Sequence, residues 1–292
     1  MSAQDVTPEK NNAYVLDSES STEMARLMLQ DRMLNEMIGG LFPERENLNG
    51  ISDILDIGCG PGGWTLDVAL SYPHTRVTGI DISKTMIEFA RKQAELLKLK
   101  NIHFELGNVL HRPLPFPDAS FDLINIRAAI GYVPREKWPL LVRECFRLTR
   151  PGGELRLTEG DRPMFTNSPA FETYSGFLTQ LLTKMGYGFS VDGFSFGLTP
   201  ALGRLLHEAG YTETSIKPYV LDLSYGTPFH DVQVQNITVA FKSMQGPLVE
   251  QNIETKDAVE QLYNQMLQEM KCKEFCALAY MITICGKKPE GV

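Results

Sequence analysis

Short apolar segments alternate with amphipathic segments along the first half of the chain. Segments 51–57 and 121–126 are short apolar runs, and 76–81 and 102–106 have the pattern of further strands. Between them, residues 83–97 place apolar side chains three and four positions apart, which is the spacing of one helix face. Strands and helices that alternate at this spacing predict βαβ units, with helices on both faces of a parallel sheet.

The second half of the chain continues this pattern less regularly. A strand is expected at 154–159 after a Pro-Gly-Gly turn, and a helix at 199–210, opened by Thr199-Pro200 and ended by Gly210. Segments 215–223 and 275–285 are again strand-like. We therefore predict an α/β fold: a doubly wound, mostly parallel seven-stranded sheet of the Rossmann-like type with an α-helical cap.

Three segments interrupt the alternation and predict a helical cover. Their helices are expected to begin at a Ser20/Glu23 capping box, at Ser168-Pro169 and near Thr255. The predicted organisation is an N-terminal helical cover at 1–48, a ligand-binding core at 49–160, a helical and aromatic lid insert at 161–198, a core helix and strand at 199–223, a second helical insert at 224–274, and the last core strand and tail at 275–292.

Composition narrows the classes of partner. The chain has 292 residues, 43% of them hydrophobic and 22% charged, and a formal net charge of -8. This acidic balance lacks the basic footprint of nucleic-acid-binding proteins, so no nucleic-acid partner is expected. The start of the chain has no signal-peptide pattern and no apolar run has the length of a membrane span, which predicts a cytoplasmic protein without a membrane partner. Five cysteines without metal-finger spacing predict reduced, buried thiols and no metal site.

The first candidate for chemistry is a glycine-rich turn, Leu-Asp-Ile-Gly-Cys-Gly-Pro-Gly-Gly at 55–63, between a predicted strand and a predicted helix. Glycines 58, 60 and 62 allow a tight turn and the close approach of a ligand where a Cβ would collide. The turn alone is ambiguous, because glycines 58, 60 and 63 also satisfy the dinucleotide pattern G-x-G-x-x-G.

The second candidate is an acidic residue at the end of the following strand. Asp81 lies 23 residues after Gly58. A carboxylate at this position can accept hydrogen bonds from both ribose hydroxyls of a nucleoside that lies across the strand ends. The next residue, Ile82, offers an apolar surface to the base. These two residues predict a nucleoside-containing ligand.

Together these motifs resemble the class I methyltransferases that use S-adenosylmethionine. Asp56-Ile57-Gly58-Cys59-Gly60-Pro61-Gly62 is similar to their glycine motif, and Gly107-Asn108-Val109 is similar to the segment that addresses the adenine. Residues 115–122 and 148–153 also resemble the family. The resemblance as a whole is strong over residues 50–160 and weaker in the later part of the chain. The resemblance implies S-adenosylmethionine as cofactor, bound by Gly58, Gly60, Asp81, Ile82, Asn108 and Val109. Asn108 stands where aspartate is commoner, so an amide oxygen would accept the adenine amino hydrogen bond.

Two further residues are candidates for the methionine end of the cofactor. Tyr14 resembles the aromatic residue that many family members fold over that end, and ordinary packing is the alternative. Arg127, just beyond a predicted strand, is placed to meet the methionine carboxylate or an anionic acceptor, and a surface ion pair is the alternative.

Two residues are candidates for a general base toward an acceptor hydroxyl, namely His230 and Glu159, although a structural role is common for both residue types.

The aromatic lid insert suits a small, partly hydrophobic acceptor methylated on oxygen, nitrogen or carbon. A nicotinamide-dependent oxidoreductase and a non-methylating protein that binds S-adenosylmethionine are the alternatives. The sequence predicts no particular oligomeric state.

Overall fold

The computed structural model describes residues 14–191 and 193–291, so the first 13 residues of the predicted N-terminal cover lie outside the described part. The described helices are α1 Ser21–Ile38, α2 Gly63–Ser71, α3 Lys84–Leu96, α4 Trp138–Leu148, α5 Pro169–Lys184, α6 Thr199–Ala209, α7 His230–Glu250 and α8 Lys256–Met270. The described strands are β1 Asp53–Ile57, β2 Arg76–Asp81, β3 Ile102–Leu106, β4 Phe121–Arg127, β5 Thr149–Gly160, β6 Phe165–Thr166, β7 Thr212–Asp222 and β8 Ala277–Lys287.

All the strands belong to one sheet, in the order β3-β2-β1-β4-β5-β8-β7. The first five positions are parallel, whereas β8 is antiparallel to both β5 and β7. The two-residue β6 pairs with β8 at Leu278 and Ala277, just beyond the point where β5 ends opposite Met281, so β6 continues the position of β5. The predicted doubly wound α/β sheet is confirmed, with this short strand added.

Local capping signals placed several helix ends correctly. Ser83 Oγ accepts a hydrogen bond from Met86 N at 3.1 Å, and Ser168 Oγ accepts one from Phe171 N at 3.0 Å. Gly210 ends α6 with φ of 104°, a backbone conformation that glycine adopts without strain. Thr199 was expected to cap α6, but the helix begins at that residue and no side-chain cap is formed.

One expected element boundary was wrong, and one helix was not predicted. Pro151-Gly152-Gly153 was expected as a turn before a strand, yet β5 already begins at Thr149 and includes these residues, with a register shift against β4. The insert at 224–274 contains a second long helix, α7, which the apolar pattern did not predict. Three of the buried side chains in its first two turns are polar (His230, Gln233 and Asn236), so no apolar stripe marks this part of the helix.

The apolar core has two large clusters on different parts of the sheet. One surrounds β4 and β5, where Trp138 and Leu155 are fully buried. The other lies within the helical cover, defined here as α1, α5, α7 and α8, and also includes residues of β7 and β8 such as Leu221 and Ala279. Because the cover shares a hydrophobic cluster with these strands, it is held against the end of the sheet.

The cysteines are only partly as expected. None of the five forms a disulfide, but Cys272 and Cys276 are exposed, whereas the sequence predicted buried thiols. In the part of the chain that the structure describes, no cluster of three His, Cys, Asp or Glu side chains is arranged to hold a metal. Within the same residues, each helix is too short or too polar to cross a bilayer.

Candidate functional site

A cavity of about 320 Å³ lies at the carboxyl ends of β1, β2 and β4. This is the edge at which open α/β sheets bind ligands, and the volume is at the lower end of the range for small-molecule sites. One wall is the glycine-rich turn after β1, and the opposite wall is the helical cover. The cover side is lined by Leu27, Gln30, Leu34, Ala240 and Met244.

The three glycines of this turn meet different steric requirements. All three have positive φ: 68° at Gly58, 54° at Gly60 and 82° at Gly62. A Cβ on Gly58 would lie 2.3 Å from the Tyr132 hydroxyl oxygen, and one on Gly62 would lie 2.9 Å from the Phe104 ring. From the sequence, a Cβ in this turn was expected to collide with a ligand. At Gly58 and Gly62 it would instead collide with side chains of the protein itself. At Gly60 the nearest atom would be 3.8 Å away, so this residue faces open space in the cavity.

Asp81 is held in place by the same turn. Its Oδ2 accepts a hydrogen bond from Gly60 N at 2.9 Å, and its Oδ1 accepts one from Ser83 N at 2.9 Å. Burial raises the pKa of this carboxyl above its ordinary value, and the backbone hydrogen bonds oppose that shift. Each oxygen keeps further acceptor capacity, so the carboxylate can bind two more donors from the cavity.

The three residues predicted for the base also line this cavity, namely Ile82, Asn108 and Val109. Asn108 Oδ1 accepts a hydrogen bond from Leu110 N at 2.9 Å, which fixes the amide in a local turn after β3. The structure thus places the predicted ribose and base residues along one wall.

At the β4 end of the cavity, Arg127 is bound to the N-terminal helix. Its guanidinium forms an ion pair with Asp31 and donates a hydrogen bond to Asn35 Oδ1 at 2.8 Å. It also lies over the Trp64 ring, 5.4 Å from the centroid. Arg127 lines the cavity, and its partner is a carboxylate of the cover, so the ion pair is not on the open surface.

Asp56 lies in the same region, at the end of β1. Its two oxygens accept hydrogen bonds from Thr65 Oγ1 at 2.6 Å and from Asn125 Nδ2 at 2.8 Å. Burial raises the pKa of Asp56 to about 6, which the nearby Arg127 charge opposes and the Asp31 charge reinforces. The acidic residue of the glycine motif is therefore anchored inside the core.

Tyr14 lies on the cover side of the cavity in a buried polar cluster. The Tyr14 hydroxyl donates to Glu23 Oε1 at 2.6 Å, and Arg26 Nε donates to Glu23 Oε2 at 2.8 Å. Arg26 reaches across to α7, where its Nη1 donates to Asn236 Oδ1 at 2.8 Å. The Val15 amide donates to the Gly131 carbonyl at 3.0 Å, which holds this segment against the loop after β4.

Glu159, predicted as a general base, does not line the cavity. Its side chain is fully buried near the end of β5, and Oε1 accepts a hydrogen bond from Ala129 N at 2.6 Å. Burial raises the pKa of this carboxyl to about 8. The structure therefore places Glu159 beneath the loop that follows β4, outside the lining of the cavity.

His230, the other predicted base, is also outside this cavity. It begins α7, is 4% exposed, and its Nδ1 lies 3.1 Å from the Leu223 carbonyl oxygen. The ring packs between Tyr225 and Phe275 and borders a separate groove between α1 and α7. The sequence contains no signal that predicts whether His230 borders this groove or the cavity.

Sequence reasoning missed three polar residues near the cavity. Asp31 and Tyr132 were not selected, because neither belongs to a local motif with a chemical meaning. Glu23 was interpreted as half of a capping box, and Ser20 does accept from the Glu23 amide. The Glu23 side chain instead binds Tyr14 and Arg26. Only the folded position of α1 brings Glu23 and Asp31 to the strand ends, whereas Tyr132 lies in the loop that follows β4.

The strand order and the glycine-rich turn after β1 define an α/β protein of the Rossmann-like class. Residues 54–153 match the family described as a methyltransferase domain. This part of the chain is thus similar to a methyltransferase domain, in agreement with the resemblance of the motifs.

Individual relatives agree with this family. Demethylmenaquinone methyltransferase of Lactococcus lactis is 36% identical over 130 residues, which cover 44% of this chain and 50% of that protein. The enzyme of the same name from Geobacillus stearothermophilus is 27% identical over 190 residues, covering 62% of this chain and 79% of its own length. The first alignment thus spans about half of the relative.

A solved structure shows the same fold. The YcgJ protein of Bacillus subtilis superimposes with a TM-score of 0.53 at 21% sequence identity, over 91% of this chain and 99% of its own. At this level of identity the similarity concerns the fold alone.

Proposed function

We propose that the protein transfers the methyl group of S-adenosylmethionine to oxygen, nitrogen or carbon of a small, partly hydrophobic organic molecule. The observation that carries this proposal is the single cavity bordered by both Gly60 and the Asp81 carboxylate, at the carboxyl ends of β1 and β2. The methyltransferase-domain match over residues 54–153 supports it.

The residues present fit this cofactor. The Asp81 carboxylate has acceptor capacity for the ribose hydroxyls, Ile82 and Val109 offer apolar surface to the adenine, and the Arg127 guanidinium suits the methionine carboxylate. When bound, the cofactor supplies a methyl group already activated on a sulfonium sulfur. The protein then has to align the acceptor and exclude water, which requires no nucleophilic side chain.

The cover side of the cavity supports a ring compound with polar substituents as the acceptor. Leu34, Ala240 and Met244 provide apolar surface, and Gln30 and Tyr14 provide hydrogen-bonding groups. The relatives named demethylmenaquinone methyltransferases support the same choice, so we propose a quinol-type ring as the acceptor class.

For a hydroxyl acceptor, the Tyr14–Glu23 pair is the proposed path for the proton. Tyr14 lines the cavity, and its hydroxyl already donates to Glu23 at 2.6 Å. It can accept the acceptor's proton as its own passes to the Glu23 carboxylate, so the proton leaves without a charge on the phenol. The sequence-based predictions for His230 and Glu159 have no comparable position in the lining.

We also propose a cytoplasmic protein whose partner is a free small molecule rather than nucleic acid or a membrane. The formal net charge of -8 supports this, because a phosphate-binding surface requires an excess of basic side chains.

Calorimetry with S-adenosylhomocysteine and with NADH tests the proposed function. Binding of the adenosyl ligand without binding of NADH is expected. Binding of NADH alone would instead identify a nicotinamide-dependent oxidoreductase. A labelled-methyl assay with reduced naphthoquinones, and then with a metabolite extract, follows. Adenosyl binding without transfer of label to any acceptor would indicate a protein that binds the cofactor but does not methylate.

A further inference from the structure

The Arg127–Asp31 ion pair lies at the end of the cavity opposite Asp81. In the strand order β2-β1-β4, Asp81 is the last residue of β2 and Arg127 the last residue of β4, and the glycine-rich turn lies between them. A nucleoside held by Asp81 therefore directs the remainder of an adenosyl ligand across β1 toward Arg127. In the proposed function that remainder is an α-amino acid, which carries one ammonium and one carboxylate group.

The side chains at this end of the cavity match such a zwitterion. Among the described lining residues, the carboxylates of Asp31 and Asp56 lie near the Arg127 guanidinium, and the other lining arginine, Arg26, is bound to Glu23 and Asn236. Asp56 is already bound by Thr65 and Asn125. Asp31 pairs with Arg127 and accepts a 3.5 Å hydrogen bond from Asn35 Nδ2, but it is 16% exposed and approaches the first residue of α2, Gly63. A Cβ on Gly63 would lie 2.4 Å from Asp31 Oδ2. The Asp31 carboxylate is thus held directly over the turn.

We propose that Asp31 binds the ammonium group of the cofactor's amino-acid end while Arg127 binds its carboxylate. This rests on the proposed function. Asp31 and Arg127 already pair with each other in the structure. A ligand with an ammonium and a carboxylate group gives each of them a new partner of opposite charge, so neither side chain is left unpaired. Since Asp31 belongs to α1, the helical cover itself takes part in cofactor recognition, in addition to residues of the core.

The test compares ligands that differ only in the amino-acid end. S-adenosylhomocysteine has both charged groups, and its 4-thiobutyrate analogue keeps the carboxylate but lacks the ammonium group. With the unmodified protein, the analogue is expected to bind about ten- to a hundredfold more weakly, the range for a hydrogen bond between charged groups. Equal binding of the two ligands would overturn the proposal without any substitution.

The protein side of the comparison uses Asp31→Asn. This variant is expected to lose about ten- to a hundredfold in affinity for S-adenosylhomocysteine and to bind the analogue about as well as the unmodified protein does. Glu36→Gln is the matched control, because Glu36 is an exposed acid on the same helix and its change should alter neither affinity. Melting followed by circular dichroism confirms that each variant is folded.

The outcomes separate this proposal from the proposed function. If the unmodified protein binds neither ligand, the proposed function fails. If it binds S-adenosylhomocysteine but Asp31→Asn weakens both ligands equally, Asp31 acts only as a structural tie between α1 and Arg127, and this inference fails while the proposed function stands. An unchanged affinity of Asp31→Asn for S-adenosylhomocysteine also overturns it.

Discussion

Individual side chains at this site combine structural and ligand-facing roles. Asp81 binds the turn through Gly60 and Ser83 while its remaining lone pairs face the cavity. Gly58 has positive φ and also makes room for Tyr132. A substitution at either position therefore changes two properties, and each prediction needs a control that separates them.

Asp81→Ala is expected to weaken binding of S-adenosylhomocysteine by about 1.5–3 kcal/mol, because the hydrogen bonds of the ribose hydroxyls to a charged group are lost. Thermal stability should also fall, since Gly60 N and Ser83 N lose their acceptor. Calorimetry well below the melting temperature measures the first effect. Asp118→Ala, at an exposed ion pair with Arg147, serves as control. An unchanged dissociation constant for Asp81→Ala would contradict the ribose assignment.

Gly58→Ala is expected to cost more stability than Gly50→Ala. Both residues have positive φ, 68° and 82°, so both substitutions carry backbone strain of about 1–2 kcal/mol. A Cβ at Gly50 would meet nothing within 4 Å, whereas one at Gly58 would overlap the Tyr132 hydroxyl. Overpacking should add about 1–3 kcal/mol at Gly58 alone. Urea unfolding of the two variants gives the difference, and equal losses would show that Tyr132 moves away freely.

Glu159 should make stability depend on pH. Burial raises its pKa to about 8, above the ordinary value of 4.5, so the folded state holds the proton more tightly than the unfolded state. This contribution to stability is complete below about pH 4.5 and is lost as the pH rises toward 8. Unfolding free energies measured from pH 5 to pH 8.5 should therefore fall more steeply for the unmodified protein than for Glu159→Gln. Parallel curves would mean that Glu159 is ionised in the folded protein.

At the scale of elements, helix caps differ in how far they connect to the rest of the fold. Ser83 caps α3 and also donates from its hydroxyl to the Ser18 carbonyl at 2.9 Å, so it joins the core to the segment before α1. Thr255 caps α8 on the exposed surface, through a bond of 3.4 Å from Ala258 N. The same local signal in the sequence thus has two different tertiary contexts.

Ser83→Ala is expected to destabilise the protein by about 2–3 kcal/mol and Thr255→Ala by about 1 kcal/mol or less. Loss of a cap accounts for about 1 kcal/mol in each case, and the buried Ser83 adds the loss of its hydrogen bond to Ser18. Chemical denaturation of both variants measures this difference. Equal losses would contradict a contribution from the Ser18 contact.

At the scale of the whole molecule, the cover and the core share strands. Tyr219 and Leu221 of β7 belong to the cover's apolar cluster, while β8 pairs β7 with β5 in the continuous sheet. The Arg127–Asp31 and Arg26–Asn236 contacts connect α1 to the core and to α7. These connections predict that the two parts unfold together.

Phe241→Ala tests this cooperativity. Phe241 lies in the cover, stacked on Tyr174 with 5.0 Å between ring centroids, and its truncation should cost about 3–5 kcal/mol. Both tryptophans, Trp64 and Trp138, are buried in the core, so their fluorescence reports core unfolding. Fluorescence and far-ultraviolet circular dichroism should give one coincident transition at lower denaturant. A fluorescence midpoint that stays unchanged would show that the cover unfolds separately.

The sequence by itself determined the local part of this protein. Strand and helix periodicity, the cap at Ser83 and the glycine-rich turn depend on residues close in the chain, so they specified the α/β order and the wall of the cavity that includes Asp81. Parallel strands bring their carboxyl ends to one edge whatever the inserts do.

Only the tertiary structure decided the opposite wall. α7 has a polar buried face, so its presence could not be predicted from apolar spacing, and its packing against α1 sets where Tyr14, Glu23 and Asp31 lie. Asp31 and Arg127 are 96 residues apart, and His230 and Glu159 lie outside the cavity although Glu159 is near the end of a strand and His230 follows one. Such long-range placement results from the packing of the whole cover, because no local pattern encodes which helix covers which strand end.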